Sequence, residues 1–357
     1  MKYIGCDFHP SFQVIAMLDK ETGALVERRL LHTEEARAFY QGLRGPVVVG
    51  IEASGNTQWF ESLLAGCQHQ LWVGDAAAIA RQEGRKQKHD RRAAALILKL
   101  MLENRFPKIW IPTVGERDLR QLLMHRQHLV RMRARIKNQL QHIALNQGWQ
   151  KKRKLWSEAG LRLLRNLPLE PWAEQRRNTL LEMLQELEVK IRPLDQAVAK
   201  EAEQCEAAQR LATHPGVGAV ISLATVLTMG DVGRFSDSRR WVSYLGLNPS
   251  EESSGERRRL GAISKQGNPF LRYLLVEGAT SAVRGDKSLA RMYARLKAKK
   301  HHGVAKVAVA RKLAVRLYWM ARTKKSYPEV VRTQGSQSHP MAAVMAVNLN
   351  RPPAFHQ

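Results

Sequence analysis

Three acidic residues, Asp7, Glu52 and Asp90, stand where a carboxylate could do chemistry. Asp7 closes the β-rich run "KYIGCDFH". Glu52 closes "PVVVGIEA", and Asp90 opens a helical stretch inside the basic segment "RKQKHDRRAAALILKL", residues 85–100. Each alone has an ordinary reading: an acid after a strand serves as a turn or cap residue, and an acid at a helix start serves as an N-cap. Glu52 is the less ordinary, because it follows "VVVGI" and a buried acid needs a partner. In open α/β sheets, sites gather at the carboxyl ends of strands. Carboxylates converging there repel unless a divalent cation sits between them. Mg2+ takes oxygen ligands and keeps phosphate oxygens or water in its shell, and two such ions clamp the attacking and leaving oxygens of a phosphoryl transfer. The chemistry indicated is metal-dependent cutting of a nucleic-acid backbone.

The elements that must position these acids can be read from the pattern. "KYIGCDFH", "FQVIAML" and "ALVERRLLH" predict three short strands joined as hairpins. Thr33 with Glu34 and Glu35 predicts a helix start, with the helix running to Gly42. "PVVVGIEA" suits a strand buried on both faces, "GNTQWFESLLAG" a helix and "HQLWVGD" another strand. From Ala76 the chain reads as helical, and "PKIWIP", 107–112, as an edge strand. Three antiparallel strands followed by alternating helices and strands indicate a mixed sheet covered by helices.

The bulk numbers agree with a nucleic-acid partner. Lys and Arg total 58 against 32 Asp and Glu, a formal charge of +26 over 357 residues. An excess of that size favours a polyanion. No apolar run approaches the about 20 residues that span a bilayer, so no membrane partner is expected, and "MKYIGCDFHP" turns polar too soon for a signal peptide. Cys6, Cys67 and Cys205 are few, odd in number and far apart, which predicts a reduced, cytoplasmic chain with inert thiols.

The middle reads as helix. From Val114 to Asn146 the residues Leu119, Leu122, Leu123, Val130, Ile136, Leu140 and Ile143 mark one apolar side. Arg131, Arg133, Arg135 and Lys137 crowd the rest, available to phosphates or forming a solvated charged face. The run Lys151, Lys152, Arg153, Lys154 reads as a phosphate-contacting or mobile loop. Leu180, Leu184, Leu187, Ile191, Leu194 and Val198 follow an a/d spacing. That seam predicts a dimerising coiled coil, with a helical hairpin folded on itself as the alternative. Pro193 is expected to kink or break its helix.

In the last third, "HPGVG" places Gly216 and Gly218 in a tight turn before an apolar helix whose first N–H groups suit a phosphate. This resembles a helix-hairpin-helix. "SSGERRR" puts Ser253 and Ser254 beside Gly255 and close to Arg257, Arg258 and Arg259. A hydroxyl there could approach a phosphate, although serine needs a base or metal to become a nucleophile. A flexible Ser/Gly loop is the plain alternative. Ser264, Lys265 and Gly267 suggest a second loop at a helix start. A last helix spans about 304–323, and after Tyr327 the chain turns polar and reads as mobile.

In this order, "YIGCDFH", "GIEASG", "RKQKHDRRAA", "HPGVG", "GDVGRF", "YLGLNP", "SSGERRRLGAISKQGN" and "VAVARKLAVRLYW" form a pattern. The chain from about Tyr3 to Tyr327 resembles the DEDD transposases of bacterial insertion sequences, relatives of the Piv invertase whose members are guided by a bridge RNA. The resemblance implies an α/β RNase H-like (RuvC-like) catalytic domain over 1–150 and a helical coiled-coil dimerisation segment over 151–205. A mainly α transposase domain with a helix-hairpin-helix and a nucleophilic serine would follow over 206–328, and a disordered tail over 329–357.

The resemblance further implies that Asp7, Glu52 and Asp90 are the first three acids around Mg2+. The fourth should follow the third in a D-x-x-D run, and Ala93 stands there. Alanine keeps the helix and deletes a carboxylate, so a catalytically weak or dead enzyme is expected. The family's Ser-Gly pair matches Ser254-Gly255, whereas an ungapped alignment from the downstream "SK" selects Ser253. The implied activity is RNA-guided DNA recombination through a covalent serine–DNA intermediate, with guide RNA, donor DNA and target DNA as partners and a homo-oligomer, dimer or tetramer, as the working form. A carboxylate-only junction nuclease and a non-catalytic nucleic-acid-binding protein are the alternatives. Arg131, Arg135, Lys151, Lys152, Arg153, Gly216, Gly218, Arg257, Arg258, Arg259 and Lys265 are the candidate nucleic-acid contacts.

Overall fold

A computed structural model describes residues 1–32, 34–82, 90–150, 152–251 and 260–335, with the side chains of 152, 153, 260 and 333–335 not described. The chain divides into two compact units, Met1–Ile111 and Pro112–Gln357.

The first unit is a mixed α/β layer structure. Strands β1 (Lys2–Phe8), β2 (Phe12–Asp19), β3 (Leu25–Leu31), β4 (Val47–Glu52) and β5 (Gln70–Gly74) lie in the order β3-β2-β1-β4-β5. The first three run as antiparallel hairpins; β4 is parallel to β1 and β5 parallel to β4. Helices α1 (Glu34–Gly42) and α2 (Gln58–Gly66) cover one face, where Tyr40, Phe60 and Leu64 pack on Ile4, Cys6, Val49 and Ile51. A short α3 (Ala76–Ala80) and the longer α4 (Asp90–Leu102) cover the other, with Ile97, Leu100 and Met101 on Val48 and with Ala94 and Leu98 on Val14 and Ala16. Thus β4 is buried on both faces, as its apolar run requires. Two expectations change here. "PKIWIP" contributes one isolated antiparallel bridge, Gly74 to Lys108, because its two prolines limit ladder pairing. Thr33, the expected helix cap, lies outside the described residues.

The second unit is mainly helical. It comprises α5 (Val114–Asn146), a 3₁₀ turn (Lys152–Trp156), α6 (Glu158–Arg165), α7 (Pro171–Gln204), α8 (Glu206–Ala212), α9 (Ala219–Met229) and α10 (Ser238–Tyr244). A two-stranded ribbon, β6 (Pro249–Glu251) with β7 (Leu260–Ile263), precedes α11 (Pro269–Gly285), α12 (Lys287–Lys297), α13 (His302–Thr323) and α14 (Tyr327–Gly335). α5 opens on a reciprocal capping box between Thr113 and Glu116. Helix α5, expected within the first domain, falls in this second unit.

The leucine seam is spent inside the chain. Leu180, Leu184, Leu187 and Ile191 of α7 are buried against Ile136, Leu140 and Ile143 of α5, with Leu155 and Leu164 closing the end. Ion pairs Arg126–Asp195 (2.6 Å) and Lys137–Glu188 (3.3 Å) run in opposite order on the two helices, so they are antiparallel. The seam is therefore covered within the chain as a helical hairpin, the alternative to the dimerising reading. α7 also continues through Pro193. The carbonyl that loses its partner there belongs to Val189, which is 66% exposed, so water can satisfy it.

Two loop readings change as well. Lys152 to Lys154 begin a 3₁₀ turn anchored by the fully buried Leu155, not a mobile loop. The expected tail begins with α14, whose Val330 is buried and whose Tyr327 hydroxyl donates to Asp286.

Candidate active site

The site in the first unit is set by two glycines. Gly5 and Gly50 are paired in register on the adjacent parallel strands β1 and β4. A Cβ on Gly5 would lie 2.2 Å from the Ala94 carbonyl oxygen and 2.4 Å from the Leu98 nitrogen, and one on Gly50 would meet Met101 Sδ at 2.4 Å. α4 thus lies directly on the backbone of the sheet. Side chains alternate along a strand, so Asp7 and Glu52, two residues beyond these glycines, face the same side. Ile51 pairs with Cys6, which sets Glu52 level with Asp7. α4 runs antiparallel to both strands and brings its first turn over their carboxyl ends.

That turn carries Asp90, whose side chain is about half exposed, whereas Asp7 is buried. Between them stands His9. Its Nε2 lies 3.4 Å from Asp7 Oδ2 and 3.6 Å from Asp90 Oδ2. One ligand atom from each of Asp7, His9 and Asp90 falls within 4.8 Å of the others. Glu52 is not a member of that group. An acid at a helix N-terminus is also favoured by the helix dipole. Two carboxylate oxygens and an imidazole nitrogen, converging on one point, fit a divalent cation.

Ala93 is buried on α4. It precedes Ile97 and Met101 on the stripe that covers Gly50, one turn nearer the carboxyl end of β4. A carboxylate at position 93 would therefore be delivered on the Glu52 side of the site. His9 and the paired glycines were missed in the sequence. One signal was there: "GCD" and "GIE" repeat a glycine two residues before an acid.

A cleft beside the carboxylates is lined by Phe12, Val14, Arg29, Asp90, Arg91 and Arg92. The Arg29 guanidinium sits 4.1 Å over the Phe12 ring, a cation–π contact. On the opposite sheet face, Cys6 donates to Gln13 at 3.0 Å and burial pushes its thiol pKa up, which makes it the inert cysteine expected.

In the second unit, Ser253, Ser254, Gly255, Arg257, Arg258 and Arg259 lie outside the described residues, as does Lys151. β6 and β7 flank the serines in sequence. Arg131 and Arg135 are exposed on α5, with Arg131 5.3 Å from the Tyr273 ring centre. Lys152 and Arg153 belong to the 3₁₀ turn. Gly216 has φ +85° and a Cβ there would meet Ala282 N at 2.4 Å, so this glycine lets the turn pack on α11. Gly218 is exposed and precedes the first residue of α9. Lys265 has φ 56°, a left-handed conformation held by its N–H donating to Gly246 O at 3.1 Å. Gly246 and Gly267 interlock there, since a Cβ on either would stand 1.9 Å from a carbonyl oxygen of the facing loop.

Comparison with known proteins bears on both units. A DEDD transposase family profile matches residues 4–148, and the profile described as the transposase IS116/IS110/IS902 family matches residues 208–294. The chain belongs to the DEDD transposases of insertion sequences. It is 27% identical over 266 residues to the "Probable family 20 transposase" of Pseudomonas aeruginosa, covering 73% of this chain and 78% of that one. It is 27% identical over 296 residues to the transposase for insertion sequence element IS1111A of Coxiella burnetii, covering 81% and 79%. To the transposase for insertion sequence element IS1328 of Yersinia enterocolitica it is 33% identical over 123 residues, 33% and 36% of the two chains. The transposase acts on DNA, and its acidic cluster suits a divalent metal. Among its described residues no helix is long and apolar enough to cross a membrane.

Proposed function

We propose that this transposase is an RNA-guided DNA recombinase that cuts and rejoins DNA through a covalent serine–DNA intermediate. The observation that carries the reading is the meeting of Asp7 and Asp90 at the carboxyl end of β1, with Glu52 level on β4. The strand order and the helix across the acidic end support an RNase H-like, RuvC-like first unit. Asp7, Glu52 and Asp90 would hold Mg2+. When bound, the ion stabilises charge on the scissile phosphate and lowers the pKa of a coordinated hydroxyl. Arg29, Arg91 and Arg92 line the adjoining cleft and would hold the phosphate backbone there.

Ser254 is the proposed nucleophile, with Ser253 as its neighbour and rival. Its oxygen attacks the phosphorus, the phosphodiester passes to the serine, and the displaced sugar hydroxyl leaves. The turn at Gly216 and Gly218 and the open start of α9 support a helix-hairpin-helix that takes a phosphate. Exposed Arg131 and Arg135, with Lys152, Arg153, Lys265 and the run from Arg257 to Arg259, would contact guide RNA and the donor and target DNA. A homo-oligomer, dimer or tetramer, is the proposed working form, assembled through a surface other than the α5–α7 seam.

Ala93 removes one carboxylate from the centre, so this chain binds nucleic acid and cleaves it weakly or not at all. The test is a side-by-side assay of the present chain and Ala93→Asp, with guide and target supplied. Ala93→Asp should gain Mg2+-dependent cleavage and a denaturant-stable protein–DNA adduct. Equal activity of the two would show that position 93 faces no ligand and that the four-carboxylate reading is wrong.

A further inference from the structure

We propose that His9 supplies a nitrogen ligand to the divalent metal held by Asp7 and Asp90, turning the site's preference from Mg2+ toward Mn2+. The proposal rests on the reading of these carboxylates as a metal centre. Three observations support it.

First, the separations suit ligation better than hydrogen bonding. Charge-assisted N–H···O bonds close to about 2.7–2.9 Å, whereas His9 Nε2 stands 3.4 and 3.6 Å from the two carboxylate oxygens. Two ligands each about 2.1 Å from a common ion lie roughly 3.0 Å apart at octahedral and 3.4 Å apart at tetrahedral angles. Second, the nitrogen is buried and makes no hydrogen bond among the described residues. Third, the ring is held in place from behind. It stacks on Phe12 at 4.5 Å and 20°, and Phe12 carries the Arg29 guanidinium on its ring. The backbone closes the same unit: His9 N–H donates to Phe12 O at 3.0 Å across the turn that Pro10 and Ser11 make.

The selectivity follows from ligand type. Mg2+ is a hard ion that dehydrates reluctantly and takes oxygen. Imidazole suits later first-row ions, and Mn2+ accepts mixed nitrogen and oxygen sets more readily than Mg2+ does. A site of three carboxylates and one imidazole therefore discriminates where a four-carboxylate site does not.

The test uses the full chain and the bare metal. Mn2+ is added, and pulsed electron paramagnetic resonance reads the ¹⁴N coupling of a directly bound imidazole. The free-ion signal gives Mn2+ affinity alone and in competition with Mg2+. The expected result is ¹⁴N coupling in the unmodified chain that disappears in His9→Gln, with the Mn2+-to-Mg2+ affinity ratio falling about tenfold or more. His9→Asp, which restores a carboxylate, should also lose the coupling but hold Mg2+ more tightly, and it serves if His9→Gln does not fold. Asp7→Asn should release the ion. If Mn2+ binding needs Asp7 but the spectrum is the same in His9→Gln, His9 is no ligand: the proposal falls and the metal centre stands. If Asp7→Asn leaves Mn2+ binding unchanged, the metal centre falls and the proposal with it.

Discussion

Replacing Gly5 by alanine tests the way the site is assembled. The added Cβ would stand 2.2 Å from Ala94 O and 2.4 Å from Leu98 N, both backbone atoms of a regular helix that cannot rotate away. Non-bonded heavy atoms settle at about 3.5 Å, so α4 must retreat by roughly 1 Å from β1. Overpacking of this kind costs about 1–3 kcal/mol, offset by the roughly 0.4–1 kcal/mol that a Gly to Ala change gains through the unfolded chain. A net loss of about 1–2 kcal/mol would lower the melting temperature of a unit of this size by about 5–10 °C. The retreat also carries Asp90 away from His9, from 3.6 Å to roughly 4.5 Å, beyond what one ion can bridge. Gly5→Ala should therefore lose stability and Mn2+ affinity together. Calorimetry of unfolding and a Mn2+ titration measure the two. Gly42→Ala is the control, because its Cβ would meet nothing within 4 Å. If Gly5→Ala melts and binds Mn2+ like the unmodified chain, the close glycine contact is not what seats α4, and the account of the site is wrong.

Other consequences follow from the second unit. Leu184→Asp buries a charge in the α5–α7 hairpin, so it should unfold helical structure seen by circular dichroism at a cost of several kcal/mol; a well-folded variant of smaller mass would return the seam to a subunit interface. His214 is buried and donates from Nδ1 to Pro215 O, and burial pushes its pKa down to about 4. The unfolded chain takes up that proton near 6.5. Stability is thus intact above about pH 6.5 and falls toward pH 4, by at most about 3 kcal/mol. Urea unfolding at the two ends of this window should show a steeper loss in the unmodified chain than in His214→Gln, and parallel losses would remove His214 as the cause. In the Ala93→Asp background, Ser254→Ala should abolish the covalent DNA adduct in a denaturing gel and leave nucleic-acid binding in a mobility-shift assay intact; if Ser253→Ala is the variant without adduct, the neighbour is the nucleophile.

Much of the first unit was legible because its signals are local. The apolar run ending at Glu52 predicted a strand buried on both faces, and β4 is one. The placement of Asp7 and Glu52 at strand ends followed from the same runs. The partners of a pattern were harder to read. The a/d spacing on α7 shows that a stripe must be covered, and it is silent on what covers it. Ile136, Leu140 and Ile143 on α5 are spaced four and three apart, so a matching stripe lay upstream, beyond the 3₁₀ turn and α6. His9 carries no such local signal: it stands one residue past the end of β1, and the turn in which its N–H donates to Phe12 O sets its place beside the carboxylates. Gly216 looked like a phosphate turn by composition, and only the approach of α11 shows its packing role.

The charge of the centre links these details to activity. Four carboxylates carry four negative charges, which balance two divalent cations before the substrate phosphate arrives. With Ala93 the count falls to three, and an imidazole adds a donor atom without adding charge. A first ion would lose little, because Asp7, His9 and Asp90 already converge on one point. A second ion would lose most, since the Glu52 side is where a carboxylate at position 93 would have stood. Phosphoryl transfer needs charge stabilisation on both the attacking and the leaving oxygen, whereas gripping a phosphate backbone needs only the guanidinium groups of Arg29, Arg91 and Arg92. On the proposed reading Ala93 would separate the two tasks: substrate would be held as before, and the step that demands a second ion would be the one lost.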